Sequence, residues 1–432
     1  MGGTIHLNSD FKFKKHLEQR LITSIGSYNT LNNNYKISLG NDEAYGLFAV
    51  DYMESINDYL FLGENGKKNE NAEYENYTIN YDAGFYLGEK HLFKFFNNVY
   101  FANRNFSNTL FSIANDGYKN RDYRHMFQYV FFGEKYTSTL SAAYLYEKYF
   151  YFFNTENPDN FDFGRSENYT LKYDFSYNFS ENIQLKTIAQ YEAITGNGSN
   201  IETVKRPRAS LSFLYTHKLS NKLDYSFNIR QEVNDFENLS LKTLAYGLVE
   251  TYFDVTDFNK NYENANDNPF IISLGSNYKF SKTYSLKFNA SKNFRTPTFN
   301  DLYWTGLGNP NLLPEKSIHA EITNQLHFNG FNFGLTGFYI KSKDLINWQP
   351  NDVGVWMPTN IDKVYNYGLE TETSFYNKWG NHILDASLTA NYIISEDKAS
   401  ENQLLYKPKH IVAASLAYNY KKVGLFLSLI HI

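Results

Sequence analysis

Residues 281–321 read SKTYSLKFNASKNFRTPTFNDLYWTGLGNPNLLPEKSIHAE, and they predict two strands joined by a long loop. In the first strand apolar residues alternate with polar ones, a period of two that is typical of a strand with different surroundings on its two faces. The apolar series is Tyr284, Leu286, Phe288 and Ala290. The loop is longer than a hairpin requires. An aromatic and small apolar face next to so long a loop indicates a role beyond the packing of a soluble core.

The whole chain is rich in aromatic residues without being hydrophobic. Its 432 residues include 38 Tyr and 37 Phe, yet the mean hydropathy is −0.53, because the aromatic residues are interleaved with polar ones. No stretch approaches the roughly 18 consecutive apolar residues of a transmembrane helix, which excludes a helical membrane protein. The absence of cysteine excludes disulfides and thiolate sites. The net charge of −5 and the pI near 6.1 give no support to nucleic acid as a partner.

The alternation recurs in distant segments. From Tyr169 to Phe179 and from Leu223 to Arg230, aromatic and apolar residues alternate with polar ones, and a weaker form runs from Ile411 to Tyr420. A charged residue on the polar face, such as Asp174, cannot lie unpaired in a dry core but can line a wet lumen. Aromatic outside and polar inside is typical of a transmembrane barrel. The predicted fold class is therefore all-β, a transmembrane antiparallel β-barrel.

Nineteen strands are predicted, with lengths of about 8 to 17 residues that suffice to cross a bilayer at a tilt. They span residues 17–29, 34–41, 44–57, 76–88, 91–105, 123–133, 136–150, 167–180, 182–195, 206–219, 222–235, 268–281, 284–295, 317–329, 331–347, 363–377, 382–396, 407–420 and 423–432. No helix is predicted.

The connections are alternately short and mostly long. The long ones are residues 58–75, 106–122, 151–166, 196–205, 236–267, 296–316, 348–362 and 397–406. Short turns on one rim and long loops on the other are typical of an outer-membrane barrel, whose long loops are extracellular.

Several motifs in this order resemble the barrel of TonB-dependent outer-membrane receptors, and among these the cobalamin and siderophore transporters. The motifs are SKNFRTPTFNDLYW at 291–304, GNPNLLPEKS at 308–317, NYGLE at 366–370, KPKH at 407–410 and GGTI at 2–5. The last is similar to the end of the family's plug domain. The resemblance covers essentially the whole chain. It implies that the motif residues shape the long loop and strand starts: Arg295, Pro297, Asn309, Pro310, Pro314, Glu315, Gly368 and Glu370.

The resemblance also implies a domain organisation. The family's barrel has 22 strands around a plugged lumen, so residues 1–10 are interpreted as the tail of a plug domain and residues 11–432 as a C-terminally incomplete barrel. Nineteen is an odd number, whereas bacterial single-chain barrels have an even one. The hypothesis is a fragment cut at both ends, with the plug missing. Such a fragment would lack the contact with TonB and half of the ligand site.

Aromatic residues near the long loops are the candidate ligand contacts, and they are Tyr303, Trp304, Trp348 and Trp356. They could stack on a flat ligand such as a corrin, haem, siderophore or sugar. The interpretation that we favour over ligand contact is the aromatic girdle at the membrane interface. Trp379, in a short turn, is assigned to the opposite girdle.

The sequence predicts neither a catalytic constellation nor a metal centre. The ten His residues form no H-x-H or H-E-x-x-H spacing, and His319 and His327 lie about 26 Å apart along one strand. The loop at residues 154–162 contains oxygen ligands that would suit Ca²⁺, but a solvated loop is the preferred interpretation. No cofactor is predicted.

We therefore expect an outer-membrane active-transport receptor of a Gram-negative bacterium for a scarce large nutrient, of the cobalamin or iron-siderophore type. The expected partners are outer-membrane lipid, the nutrient, the TonB complex through the plug and a surface lipoprotein, with no nucleic acid. The alternatives are a passive porin, and an outer-membrane enzyme or adhesin, which would need a clustered His/Ser/Asp set or a dominating loop domain. The prediction is a transporter and not an enzyme.

Overall fold

The computed structural model describes residues 11–61, 66–108, 112–234, 269–404 and 407–431, and it consists almost wholly of antiparallel strands. The nineteen strands are β1 (His16–Gly26), β2 (Thr30–Gly40), β3 (Ala44–Ser55), β4 (Tyr74–Leu87), β5 (His91–Asn105), β6 (Gly117–Phe132), β7 (Tyr136–Phe152), β8 (Phe161–Ser180), β9 (Ile183–Gly198), β10 (Ile201–Lys218), β11 (Leu223–Asn234), β12 (Phe270–Lys279), β13 (Tyr284–Arg295), β14 (Glu315–Phe328), β15 (Phe331–Pro350), β16 (Trp356–Trp379), β17 (His382–Asp397), β18 (His410–Tyr420) and β19 (Val423–His431). One short helix, α1 (Phe299–Tyr303), lies between β13 and β14. The prediction of nineteen strands is confirmed.

The strands form one sheet in which each strand pairs with the next along the chain, from β1 to β19. Within the described ranges, β1 and β19 each pair on one side only. A meander of this kind needs only local hairpins, so the wall is built from consecutive pieces of sequence. The proposed plug tail at residues 1–10 and the whole of the predicted loop 236–267 lie outside the described residues.

The two faces of the sheet differ as the alternation predicts. On β8, Tyr169, Leu171 and Tyr173 are exposed, whereas the residues between them, Lys172 among them, are half-buried. A cavity of about 580 Å³ lies against the polar series of β11 to β14, which includes Asp224. The polar face is therefore the concave, inner face, and the aromatic face is the outer one.

Several strands are longer than predicted, and this shortens two of the predicted long loops. The strand β16 has 24 residues, and β9 and β10 are joined through residues 199–200 alone. The Gly- and Asn-rich segment 196–200 suggests a loop, but a Cβ at Gly198 would collide with the Phe163 carbonyl oxygen. Glycine here serves close backbone approach inside a strand, a use that composition cannot distinguish from a turn. The predicted loop 348–362 likewise shrinks to residues 351–355.

Helix α1 corrects the prediction that the chain has no helix. Thr298 caps it: the Asp301 N–H donates to Thr298 Oγ1 at 3.2 Å, and the Thr298 N–H donates to Asp301 Oδ2 at 2.9 Å. This reciprocal capping box stabilises a helix start, but five residues are too few to produce a helical period in the sequence. Within the described residues, no helix has the length and apolar character to span a membrane.

Candidate functional site

The long loop between β13 and β14, residues 296–314, is here called the rim loop, and an ion pair closes its base. Arg295 Nε and Nη2 donate to the two oxygens of Glu315 at 2.8 and 2.6 Å. Glu315 Oε1 also accepts from the Ile346 N–H at 2.8 Å, so the carboxylate joins β13, β14 and β15. Arg295 and Glu315 are direct cross-strand partners. The bidentate pair thus fixes both ends of the loop with defined geometry.

A small apolar core holds the middle of the rim loop against the wall. Leu302, Leu312 and Ile346 are buried together, and Tyr303 packs against them. The buried Asp301 also accepts from Trp348 Nε1 at 2.9 Å. Because the carboxylate serves both the helix cap and the indole, it ties α1 to β15.

Asparagine side chains connect the C-terminal half of the rim loop to β16. Asn309 Nδ2 donates to the Pro358 carbonyl at 3.1 Å, and its Oδ1 accepts from the Asn311 N–H at 3.0 Å. Asn360 Oδ1 accepts from the Leu313 N–H at 2.8 Å, and its Nδ2 donates to the Leu313 carbonyl at 2.9 Å. These bonds satisfy main-chain groups that have no strand partner.

The other side of the rim loop reaches across the lumen to β9 and β10. The buried Arg206 donates from Nη1 to the Pro297 carbonyl at 2.9 Å, and its guanidinium lies 4.5 Å from the centroid of the Phe299 ring. Thr305 donates to the Asn200 carbonyl from its N–H and its hydroxyl, at 2.9 and 2.7 Å. The loop therefore folds inward and bridges part of the barrel mouth.

An aromatic cavity of about 720 Å³ lies beneath this bridge, between α1 and β6 to β10. Its rings include Tyr118, Tyr149, Tyr151, Phe299 and Trp304, and its carboxylates are Asp122, Glu147 and Asp162. Tyr118 and Tyr149 are stacked with centroids 5.2 Å apart and planes 12° apart. Gly164 leaves room for the Tyr149 ring, which a Cβ at that position would strike. The volume and mixed lining suit a small organic ligand.

The four predicted ligand-contact residues occupy different environments. Tyr303 packs on the rim-loop core, and the half-buried Trp348 is hydrogen-bonded to Asp301. Trp304 is 37% exposed, lines the cavity and meets Trp348 edge-to-face at 6.1 Å. Trp356 is 43% exposed and pairs with Pro350 at the far tip of β15 and β16. The structure thus brings Tyr303, Trp304 and Trp348 together, and of the four residues it is Trp304 that lines the cavity.

Pro310 and Pro314 lie within the rim loop, whereas the last two motif residues lie on β16, away from it. Gly368 is inside the strand, where a Cβ would overlap the Tyr392 carbonyl oxygen. Glu370 is exposed on the same strand. These two residues therefore belong to the wall and not to the cavity.

Two further findings complete the description of the site. Among the described residues there is no cluster of three or more His, Asp or Glu that could hold a metal ion. Arg206, Asn200 and Asn360 contribute to the rim although the sequence analysis did not select them. Their partners in the rim loop lie between 47 and 105 residues away in the chain, so no local signal could have identified these contacts.

Residues 11–428 match the family described as TonB dependent receptor-like, beta-barrel. The chain is 30% identical over 180 residues to the vitamin B12 transporter BtuB of Photobacterium profundum, a match that covers 41% of this chain and 28% of that protein. It is 29% identical over 132 residues to BtuB of Vibrio vulnificus (strain YJ016), covering 30% of this chain and 21% of that protein. The matches therefore span less than a third of these relatives' length.

Solved structures share the fold at low identity. The copper transporter OprC superposes with a TM-score of 0.74 at 14% identity, covering 97% of this chain and 68% of its own. The FrpB iron transporter from Neisseria meningitidis superposes with a TM-score of 0.73 at 13% identity, covering 96% of this chain and 68% of its own. The resemblance read from the motifs is thereby confirmed. The chain belongs to the TonB-dependent receptor family, and its described strands are the barrel portion of such a receptor.

Proposed function

We propose that this chain forms the wall of an active-transport receptor in the outer membrane of a Gram-negative bacterium. Its cargo is a scarce, large nutrient of the cobalamin or iron-siderophore type, and TonB drives uptake by acting on a plug domain. The observation that carries the proposal is the family match over residues 11–428. Relatives named as vitamin B12 transporters support cobalamin, and a structural neighbour named as an iron transporter supports an iron-containing cargo.

The rim geometry supports contact with a flat part of the nutrient at the mouth of the barrel. The cavity under the rim loop presents stacked tyrosines and the exposed edge of Trp304, and aromatic faces stack on flat groups. Trp348 packs against Trp304, Tyr303 packs on the rim-loop core, and Trp356 extends the aromatic surface outward. In this proposal the family-motif residues, among them Arg295 and Glu315, act structurally by fixing the rim loop.

The proposed partners follow from the same scheme. Outer-membrane lipid surrounds the aromatic outer face, the nutrient binds at the mouth, and TonB acts through the plug. A surface lipoprotein that delivers cargo would contact the extracellular loops. The protein carries out no reaction, and nucleic acid is not a partner.

Uptake measured in cells tests the proposal. The complete gene product that contains this chain is expressed in a Gram-negative host lacking its own cobalamin and siderophore receptors. Radiolabelled cyanocobalamin and labelled ferric siderophores are then supplied with and without functional TonB. We expect saturable uptake of one of these ligands that disappears without TonB. Trp304→Ala should weaken binding, whereas Trp379→Ala, at the last residue of β16 on the opposite rim, should leave it unchanged.

A passive porin is the alternative that this experiment separates. Uptake that does not saturate, falls with solute size and ignores the loss of TonB would overturn the proposal in favour of a diffusion channel. Chemical alteration of a lipid or peptide substrate by the purified protein would instead indicate an outer-membrane enzyme.

A further inference from the structure

A row of cations crosses the outer face of β6, β7 and β8. Arg121 on β6 pairs directly with Lys148 on β7, and Lys148 pairs directly with Arg165 on β8. Lys119 lies two residues before Arg121 on the same face of β6. These four residues are here called the basic row. Lys148 and Arg165 also border the cavity under the rim loop, but strand alternation places all four residues on the aromatic face and not on the polar one.

Three members of the basic row rest on aromatic rings in place of carboxylates. Lys148 Nζ lies 4.5 Å from the centroid of Phe150 and 4.9 Å from that of Phe163. The Arg121 guanidinium also lies over Phe150, at 5.3 Å. Lys119 Nζ lies 4.9 Å from the centroid of Phe152. In the described part of the chain, no carboxylate pairs with Lys119, Arg121 or Lys148.

Arg165 alone has polar partners inside the protein. Its Nε donates to Asn197 Oδ1 at 3.0 Å and lies 3.6 Å from Glu167 Oε1. Among the described residues, the four cations of the basic row therefore share a single carboxylate partner, Glu167. Like charges on directly opposed strand residues repel one another and destabilise a sheet. Three such residues lie side by side in the basic row, so an anion from outside the chain would reduce their mutual repulsion.

The height of the basic row places it at the membrane surface. Lys148 is 12 residues beyond Tyr136, the first residue of β7 at the short-turn rim. At about 3.3 Å per residue and a tilt of about 40°, this is roughly 30 Å along the membrane normal, just beyond an apolar band of about 25 Å. Immediately below the row lie tyrosine pairs typical of an interfacial girdle: Tyr123 with Tyr146 at 5.4 Å, and Tyr144 with Tyr169 at 5.0 Å.

We propose that the basic row is a binding site for the phosphate groups of a phosphorylated lipid in the outer leaflet. This inference rests on the proposed outer-membrane location. Arg and Lys form strong charge-assisted hydrogen bonds with phosphate oxygens. The tyrosines below the row provide an apolar surface for the acyl chains, whereas Phe150 and Phe163 lie on its extracellular side. A lipid is favoured over a soluble anion because the cations and this apolar surface occupy the same outer face.

Lipid titration of the purified protein tests the site. The delipidated protein in non-ionic detergent is titrated with bisphosphorylated lipid A and, separately, with its dephosphorylated form, and binding is followed by native mass spectrometry. The variant R121Q/K148Q removes two charges from the row. The matched control K90Q/K135Q removes two exposed lysines from short turns at the opposite rim. The wild type and the control should bind bisphosphorylated lipid A alike. R121Q/K148Q should bind this lipid at least about tenfold more weakly, and the wild type should bind the dephosphorylated lipid at least about tenfold more weakly.

Three outcomes would overturn the site: equal binding by R121Q/K148Q and wild type, equal binding of both lipids, or displacement of the lipid by inorganic phosphate at the same concentration. Heat-dependent mobility in SDS gels establishes that each variant is folded, and K119Q/K148Q replaces the first variant if it is not. Because the titration uses purified protein, its failure leaves the transport proposal standing. Loss of TonB-dependent uptake with phosphate-dependent lipid binding intact would overturn the transport proposal alone.

Discussion

Two arginines three residues apart on β6 show how differently charge is handled on the two faces of the wall. Arg124 faces the lumen and donates to Asp122 at 3.0 Å, to Glu147 at 2.9 Å and to Asn98 at 3.1 Å. Arg121 faces outward, and its guanidinium lies over the ring of Phe150. The strand, the residue type and the neighbouring strands are the same. The difference is therefore one of face, and not of local sequence.

The inner-face pattern recurs along the wall. Asp174 lies 3.0 Å from Lys172 and 3.2 Å from Lys186, and Glu232 lies 2.8 Å from Arg230. Charges that surround a lumen are thus paired with one another and contribute to the structure. Outward cations without a carboxylate partner form no such ion pairs inside the protein. They can therefore bind an anionic ligand without first losing an internal partner. Mutations on the two faces should consequently differ in the size of their effect on stability.

The largest loss of stability is expected where an inward carboxylate joins three strands. Glu315→Ala removes both bonds from Arg295 and leaves the Ile346 N–H without an acceptor. Removing one partner of a buried ion pair lowers the free energy of unfolding by about 3 kcal/mol or more. Because Arg295 is half-exposed and water can solvate its charge, we expect a loss near that lower value. The free energy of unfolding in guanidinium chloride, followed by tryptophan fluorescence in lipid vesicles, measures the effect.

The control for this change is Glu370→Ala, at an exposed glutamate of β16. Its effect should stay within about 0.5 kcal/mol, as at other exposed positions. Limited proteolysis adds a local readout, because the rim loop should be cut faster in Glu315→Ala alone. Equal stability of the two variants would show that the ion pair does not hold the loop.

A smaller loss is expected for the inward arginine of the opening comparison. Arg124→Gln leaves the carboxylates of Asp122 and Glu147 close together without their shared cation. Because Arg124 is 39% exposed, water screens part of the repulsion, and the expected loss is about 2 kcal/mol or less. Arg124→Lys keeps the charge and should recover about half of the loss. If Arg124→Gln were no more destabilising than the outward Arg121→Gln, the proposed difference between the faces would be wrong.

Part of this organisation can be predicted from the sequence, because the relevant signals are local. Alternation over ten residues fixes which face a strand residue occupies, and short motifs such as GNPNLLPEKS identify the family. On β7 the series Tyr144, Tyr146, Lys148, Phe150 and Phe152 already places a lysine on the aromatic face. The row with Arg121 and Arg165 could not be predicted, because it depends on the register of three strands.

The rim loop could be predicted even less well. Its anchors join residues far apart in the chain, such as Arg206 with Pro297, 91 positions apart, and Thr305 with Asn200, 105 positions apart. Such contacts follow from the curvature of the wall, which no local pattern encodes. The same holds for Gly196, where a side chain would strike the Phe299 ring of the bridging loop.

A third and smaller effect concerns the polar anchor between the rim loop and β15. Trp348→Phe retains an aromatic ring opposite Trp304 but removes the indole N–H that donates to the buried Asp301. One lost hydrogen bond to a carboxylate that keeps its helix-cap partner should cost about 1 kcal/mol. Trp356→Phe, at the exposed tip, is the matched control and should change the free energy of unfolding by a few tenths of a kcal/mol at most. A larger effect at Trp356 than at Trp348 would contradict the anchoring role.

The smallest effect is expected for Arg121→Gln. In detergent free of phosphorylated lipid, the change relieves repulsion from Lys148 and loses a cation–π contact, two contributions that are each about 0.5 kcal/mol and oppose one another. The free energy of unfolding should therefore stay within about 0.5 kcal/mol of the wild type. Adding bisphosphorylated lipid A should stabilise the wild type and not the variant, because a ligand stabilises only the form that binds it. If Arg121→Gln in lipid-free detergent lowered the free energy of unfolding as much as Arg124→Gln, the outward arginine would be structural. The proposed difference between the two faces would then be wrong.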